Sequence, residues 1–170
     1  MTGITGRAVA LLQAVHADPG LTRAGAARVL GVGSGAVTEL VARLCRAGLL
    51  SERPAAPSGA RGRPTTELVA HPDGPVVLAA AITHEAWQVD AVEIGGVTTA
   101  TVGGRHDRDA ATVLASVADG VRHLRVELPG RVRGLGVSVP GTVLAGRMLD
   151  AAGLGWRDLD LRAIWPEAEE

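Results

Sequence analysis

The sequence predicts a fold of the α+β or α/β class, with a helical N-terminal part and a strand-rich C-terminal part. Two observations predict it. Apolar residues in the first 50 positions recur at spacings of three and four, which is typical of helices. After a turn cluster at residues 71–75, the pattern changes to short apolar or alternating runs, which are typical of strands. We therefore predict one domain over residues 1–71 and a second over residues 75–170.

Three helices are predicted in the N-terminal part. The first covers residues 5–17 and has one apolar face that can pack under the other two. The second follows Thr22, whose hydroxyl can accept a bond from a free amide of the first turn. A glycine-rich break over residues 31–33 separates it from a third helix, which begins at Gly33 or Ser34 and stops near Gly48. Two short helices joined by such a turn predict a helix-turn-helix.

The third helix has two distinct faces. Its apolar stripe, predicted to be buried, is Val37, Leu40, Val41 and Leu44. Its opposite face is polar or small and is predicted to be free to enter a DNA major groove. That face consists of Ser34, Gly35, Thr38, Glu39, Ala42, Arg43 and Arg46. The alternative is an ordinary helical domain, since two amphipathic helices with a glycine turn occur in many of them.

A hairpin is predicted directly after the third helix. Strand-like residues 49–53 and 65–70 flank a loop over residues 54–64 that is rich in Pro, Ala, Gly and Arg. Helix-turn-helix plus hairpin is a winged helix. The loop contains Arg61-Gly62-Arg63-Pro64, and flexible arginines beside Gly and Pro suit a narrow, electronegative minor groove.

These elements predict three kinds of contact with double-stranded DNA. Base edges would be faced by Ser34, Gly35 and Thr38, while Glu39 repels phosphate unless it accepts a bond from a cytosine amino group. The minor groove would receive Arg61 and Arg63. Phosphates would be bound by Thr22, Arg23, Arg43 and Arg46, which supply affinity and position but do not read sequence.

The charged residues divide unevenly along the chain. Residues 1–70 hold eight arginines against four acidic residues, a net charge of +4, whereas residues 71–170 hold nine against fourteen, a net charge of −5. This asymmetry favours a DNA-binding part joined to a part that does not bind DNA. All 17 basic residues are arginine, which excludes a Walker A loop, a Schiff-base lysine and a kinase-type lysine.

Other residue types indicate no metal site and no membrane. The five histidines are scattered and have no cysteine partner, so we expect no metal or other cofactor. The single cysteine permits no internal disulfide and favours a reducing cytoplasm. No apolar run resembles a signal peptide or a transmembrane helix.

The C-terminal part is predicted to be half of an α/β lobe. Three antiparallel strands over residues 76–83, 87–94 and 97–103 precede a helix over residues 109–128 and a buried strand over residues 132–139. A short hairpin, a loop and a last helical turn complete it.

Two separated blocks of the sequence resemble one family. The first is the wing with Arg61-Gly62-Arg63-Pro64. The second is residues 134–141, Gly-Leu-Gly-Val-Ser-Val-Pro-Gly, followed by residues 153–161, Gly-Leu-Gly-Trp-Arg-Asp-Leu-Asp-Leu. In this order they resemble the ROK-family (repressor, open reading frame, kinase) transcriptional regulators of the xylose-operon-repressor type.

The resemblance covers nearly the whole chain and implies both a fold and a function. It implies a winged helix followed by part of a sugar-kinase-like lobe of the actin and hexokinase (ribonuclease-H-like) fold. It also implies a repressor of sugar-related genes that binds operator DNA as a homo-oligomer and responds to a sugar effector.

Departures from the family pattern argue against an enzyme. The stretch that matches the phosphate loop of the kinases, residues 79–84, reads Ala-Ala-Ala-Ile-Thr-His and lacks the Asp-x-Gly motif. Gly153 stands where the family often has an asparagine that helps to hold sugar hydroxyls. The catalytic Asp loop, the Glu-x-Gly-His motif, the zinc site and the second lobe do not occur within the 170 residues. The alternatives to a regulator are a truncated remnant and a sugar-binding ROK domain without kinase activity.

Overall fold

The computed structural model describes residues 6–55, 66–145 and 147–167. The chain divides into two compact units. The first unit comprises residues 1–75 with the turn 93–97, and the second comprises residues 76–92 and 98–170. The assignment of residues 1–71 and 75–170 to separate folding domains stays a prediction.

The first unit contains three helices and a hairpin. The helices are α1 (Gly6–Ala17), α2 (Arg23–Leu30) and α3 (Ser34–Arg46). The strands β1 (Leu50–Pro54) and β2 (Thr66–Ala70) pair antiparallel from Leu50 opposite Ala70 to Pro54 opposite Thr66. This order confirms the predicted winged helix.

The ends of these helices follow the capping chemistry that the sequence predicts. The Thr22 hydroxyl oxygen accepts a bond of 3.1 Å from the amide of Gly25 and so caps α2. Gly31 ends α2 in the left-handed region with φ 61°, a conformation that most side chains disfavour. The turn between α2 and α3 therefore depends on local residues.

The core of the first unit lies among all five elements. α1 and α3 each bury one stripe against it, and the hairpin closes it from the other side through one leucine on each strand. Its buried members are Ala8, Leu11, Val15, Leu21, Ala26, Val37, Val41, Leu44, Leu50 and Leu68.

The second unit is built on a four-stranded sheet with one long helix. The strands are β3 (Val76–Ile82), β4 (Ala86–Glu93), β5 (Thr98–Arg105) and β6 (Val132–Ser138), in the spatial order β5-β4-β3-β6. β4 and β5 pair antiparallel, whereas β6 pairs parallel to β3. A parallel neighbour needs a crossover connection, and α4 (Ala110–Glu127) provides it.

α4 covers one face of this sheet. Its five apolar residues that the sequence predicts on one face are all buried, namely Val113, Leu114, Val117, Val121 and Leu124. On β3, buried and exposed residues alternate strictly, so that Leu78 is buried and Val77 is 50% exposed. An apolar run thus forms a strand that is buried on one face.

The strand predicted over residues 132–139 is confirmed as β6, but the prediction that it is buried is wrong. β6 lies at the end of the strand order, and its residues Arg133, Gly136 and Ser138 are exposed. The apolar residues of an edge strand fill the covered face only, and the sequence pattern does not show how many faces are covered.

The last described segment forms a second, three-stranded sheet. Strands β7 (Thr142–Leu144), β8 (Met148–Ala151) and β9 (Trp156–Asp160) pair antiparallel in that order. The predicted hairpin is confirmed, but the predicted loop after it contains a third strand. A 3₁₀ turn over Leu161–Ile164 replaces the predicted last helical turn.

Candidate nucleic-acid interface

One face of α3 is exposed because the other is held in the core of the first unit. Val37 and Val41 are 0% exposed, so the rotation of the helix about its axis is set by packing. We call the opposite side the recognition face. Its exposed members are Ser34, Gly35, Thr38, Glu39 and Arg46, and its half-buried members are Ala42 and Arg43. The structure thus brings the seven predicted residues of α3 onto one side.

The first backbone amides of α3 receive no capping bond from the side chain at the N-cap position. Gly33 is its N-cap residue and makes no side-chain capping bond. The first amides of a helix lack intrahelical partners and form an electropositive end that suits a phosphate. Ser34 and Gly35 form this end of α3, and no side chain at the cap position covers its amides.

Thr38 has a defined hydrogen-bonding character. Its hydroxyl donates a bond of 2.9 Å to the carbonyl oxygen of Ser34, one turn earlier. The hydroxyl hydrogen is thereby used, and the side chain presents oxygen lone pairs and a methyl group outward. It can accept a bond from a base amino group or contact a thymine methyl group.

Arg23 is engaged within the protein. Its Nε and Nη2 donate bonds of 2.7 and 2.6 Å to the two carboxylate oxygens of Glu52 on β1. The hydrogen bond with Glu52 raises the pKa of Arg23, and the same bond lowers the pKa of Glu52. Thr66 on β2 also donates to Glu52, at 3.3 Å. The pair therefore connects the start of α2 to the base of the hairpin.

Two further contacts hold the hairpin, one to the segment before α2 and one between its own two strands. The amide of Leu68 donates a bond of 2.8 Å to the carbonyl oxygen of Leu21. Nε of Arg53 on β1 lies 3.3 Å from a carboxylate oxygen of Glu67 on β2. The base of the wing is thus held to the helix-turn-helix by backbone and side-chain bonds.

The Arg23–Glu52 pair predicts a pH-dependent contribution to stability. A carboxylate whose pKa is lowered by folding stabilises the native state above its unfolded pKa, and this contribution is lost as the pH falls through the folded value. The two side chains are 40% and 27% exposed, so we expect Glu52→Gln to cost about 0.2–1 kcal/mol at pH 7. The cost should shrink below about pH 4, near the ordinary range of Glu.

Urea unfolding of the wild type and of Glu52→Gln between pH 7 and pH 3 measures this cost. Arg23→Gln and the double variant complete a mutant cycle at each pH. The coupling energy should fall toward zero as Glu52 becomes protonated. A coupling energy that does not change with pH would mean that the cost arises from side-chain packing rather than from the charge of Glu52.

A cleft of about 310 Å³ lies between α1 and α3. It is lined by Arg7, Ala36, Glu39, Leu40, Arg43 and Arg46. Three of these are predicted DNA contacts or belong to the recognition face, whereas Arg7 was missed by the sequence reasoning. No local signal marks Arg7, because its neighbours in the cleft come from a helix more than 25 residues away.

The predicted wing contacts Arg61 and Arg63 lie outside the described residues. The structure describes the two strands that carry the wing, up to residue 55 and from residue 66 onward. It therefore places the base of the wing and leaves its tip as a prediction.

In the second unit, the turn between β3 and β4 is internally bonded. The hydroxyl oxygen of Thr83 accepts bonds from the amides of Ala86 at 3.1 Å and Glu85 at 3.4 Å. Those two amides are directed at a side chain of their own turn.

The two departures from the family pattern lie next to each other in space. A Cβ atom added to Gly153 would lie 2.9 Å from Nε2 of His84, which is closer than ordinary packing allows. The ring of His84 thus occupies space that a side chain at position 153 would need. Within residues 6–55, 66–145 and 147–167, no group of three or more His, Cys, Asp or Glu side chains could hold a metal ion.

Comparisons with known proteins agree with this architecture. Residues 2–62 match the MarR family, a winged-helix family of DNA-binding transcriptional regulators. No curated protein matches the chain. None of the described helices is long and apolar enough to cross a membrane.

One solved structure that matches is a ROK family transcriptional regulator, described as a homologue of the E. coli MLC protein. The match has a TM-score of 0.54 and 18% sequence identity, and it covers 94% of this chain. The chain spans 41% of the length of that structure. The chain therefore carries an N-terminal winged helix that matches the MarR family over residues 2–62 and has, over nearly its whole length, the fold of a ROK family transcriptional regulator.

Proposed function

We propose that this chain binds double-stranded operator DNA and acts as a transcriptional repressor of sugar-related genes. The observation that carries the proposal is the recognition face of α3, which is largely exposed and polar, while Val37, Val41 and Leu44 of the opposite stripe are buried and Leu40 is half-buried. A rigidly held helix with such a face suits insertion into a major groove. The sugar-related role rests on the resemblance of the wing and of residues 134–141 to the ROK regulators.

Base reading is assigned to the first half of α3. Ser34, Gly35 and Thr38 face base edges, with Thr38 acting as an acceptor because its hydrogen is bonded to the Ser34 carbonyl. Glu39 accepts a bond from a cytosine amino group. Few long polar side chains are present on this half, so the direct reading of sequence is modest.

Phosphate binding is assigned to Thr22, Arg23, Arg43 and Arg46. The Thr22 hydroxyl accepts from Gly25 and keeps its hydrogen for a phosphate oxygen. Arg23 uses Nε and Nη2 toward Glu52, so its Nη1 is the nitrogen that would reach the backbone. The neutralising carboxylate of Glu52 weakens the contact of Arg23 with a phosphate.

Arg61 and Arg63 are assigned to the minor groove. Support comes from their place in the sequence, between the paired strands β1 and β2, which are bonded to the helix-turn-helix. A wing with a fixed base and an arginine-rich tip can reach the backbone-lined minor groove beside α3. This groove contact supplies a large part of the affinity.

The remaining assignments follow from the resemblance, from the single cysteine, which favours the cytoplasm, and from the departures from the family pattern, which argue against an enzyme. The regulator would act as a homo-oligomer in the cytoplasm, respond to a sugar effector and have no catalytic activity. The regulator family at the N-terminus supports the assignment as a non-enzyme.

The experiment is a fluorescence-anisotropy titration of this chain with duplex DNA at several salt concentrations. We expect salt-sensitive binding, and we expect Arg61→Ala with Arg63→Ala to lower the slope of log K against log salt by about two, roughly one for each lost contact. Arg133→Ala with Arg157→Ala removes the same charge from exposed positions of the second unit and should leave the slope unchanged. A wild-type slope in the wing variant would remove the wing from the interface.

A further inference from the structure

We propose that the cleft between α1 and α3 binds a phosphate of the DNA backbone, and that Arg7 contacts it from outside the helix-turn-helix. The inference rests on the proposed function, because it extends the same DNA-binding surface onto α1. Arg7 is absent from the predicted contacts.

The charges of the cleft favour an anion. Its lining holds three arginines, Arg7 from α1 with Arg43 and Arg46 from α3, and one acidic residue, Glu39, which leaves an excess of two positive charges when all four are ionised. Guanidinium groups bind phosphate oxygens through paired N–H donors, and such charge-assisted bonds are stronger than neutral ones. The volume of about 310 Å³ is ample for a phosphate group.

The position of Arg7 is set by packing. Arg7 is exposed at the start of α1, and the next residue, Ala8, is 0% exposed in the core. One turn further along, Leu11 is also 0% exposed. The helix that carries Arg7 is therefore held against α3, and its side chain emerges beside the recognition face.

The cleft is continuous with the recognition face. Glu39 and Arg46 belong to both, since each is exposed on α3 and also lines the cleft. A duplex whose groove receives α3 has a phosphate backbone along each side of that helix. The cleft lies on the α1 side of α3, where one of these backbones would pass.

The experiment compares the salt dependence of DNA binding for Arg7→Ala, Arg7→Lys and the wild type. Two duplexes of unrelated sequence are used, because a phosphate contact weakens binding equally on both. We expect Arg7→Ala to lower the slope of log K against log salt by about 0.9. A rise from 50 to 200 mM salt should then weaken DNA binding by the variant roughly three- to fourfold less than it weakens binding by the wild type. Arg7→Lys should restore most of the slope.

Failure of this inference can be told apart from failure of the proposed function. A wild-type slope for Arg7→Ala, together with a slope reduced by about two in the wing variant, overturns the inference and leaves the proposed function standing. Absence of salt-sensitive binding by the wild type overturns both.

A competition experiment with inorganic phosphate distinguishes a site for the DNA backbone from a site for a free anion. It is compared with chloride at equal ionic strength as a competitor of DNA binding. Excess competition by phosphate that Arg7→Ala removes, together with the lowered DNA slope, means that the free anion and the DNA backbone share the cleft and supports the assignment, whereas phosphate that binds at Arg7 without competing with DNA, with no change in the DNA slope, would overturn it. No excess competition, together with the lowered slope, supports it.

Discussion

Leu44→Ala is expected to destabilise the first unit by about 2–5 kcal/mol and to abolish DNA binding. Leu44 is 2% exposed on α3 and belongs to the core that all three helices share. Truncation removes buried apolar surface and leaves a cavity directly behind the recognition face. Because α3 owes its orientation to this packing, its polar face loses a defined position before the chain unfolds completely.

The distribution of tryptophan allows this effect to be measured by unit. Trp87, Trp156 and Trp165 all lie in the second unit, so tryptophan fluorescence follows that unit and far-ultraviolet circular dichroism follows both. In Leu44→Ala, the dichroism transition in urea should begin at lower concentration while the fluorescence transition stays unchanged. A fluorescence transition that moves equally would contradict the assignment of residues 1–71 and 75–170 to separate domains.

Val29→Ala is the matched control for Leu44→Ala. Val29 is 65% exposed on α2, so its truncation removes little buried surface. Its unfolding transition and its DNA affinity should equal those of the wild type within about 0.5 kcal/mol. A comparable loss in both variants would mean that the burial of Leu44 is not the cause.

Trp156→Ala is expected to destabilise the second unit by about 3–5 kcal/mol. The ring of Trp156 is 4% exposed, and its Nε1 donates a bond of 2.7 Å to the carbonyl oxygen of Arg108. Arg108 has φ 76°, a left-handed conformation that is unfavourable for a residue with a side chain. The indole thus fills the core and also holds a strained turn.

The variant Trp156→Phe separates these two roles. Phenylalanine keeps most of the buried ring but cannot donate to Arg108, so we expect a smaller loss, about 1–3 kcal/mol, from the unsatisfied carbonyl and the reduced volume. The fluorescence of Trp87 and Trp165 reports the urea transition in both variants. Leu144→Ala, at a position 55% exposed on β7, is the control and should be neutral. Equal losses for Ala and Phe would assign the whole effect to the hydrogen bond.

Elements whose determinants are local could be predicted from the sequence. The cap at Thr22, the break at Gly31 and the buried stripe of α4 each depend on residues within a few turns of one another. Periodicity of apolar residues reports such elements directly, because one buried face repeats at the period of the helix. The winged helix was predictable for the same reason.

Elements whose burial depends on distant neighbours could not be predicted as well. β6 reads as a buried strand, yet it lies at the end of the strand order and is exposed at Arg133, Gly136 and Ser138. The sequence of β9 reads as a loop, but the segment forms a strand because it pairs with β8. In both cases the sequence of the strand contains no information about what lies beside it.

The candidate site likewise has features that local sequence determines and features that only the tertiary structure determines. The seven residues of the recognition face were determined by the sequence alone, because a helix with one buried stripe must expose the other side. Only the tertiary structure decided which charges are available. It places Glu52 against Arg23 across 29 residues and brings Arg7 to the cleft beside Arg43 and Arg46. Electrostatic interactions depend on distances in space, and the folding of the hairpin and of α1 onto the helix-turn-helix sets those distances.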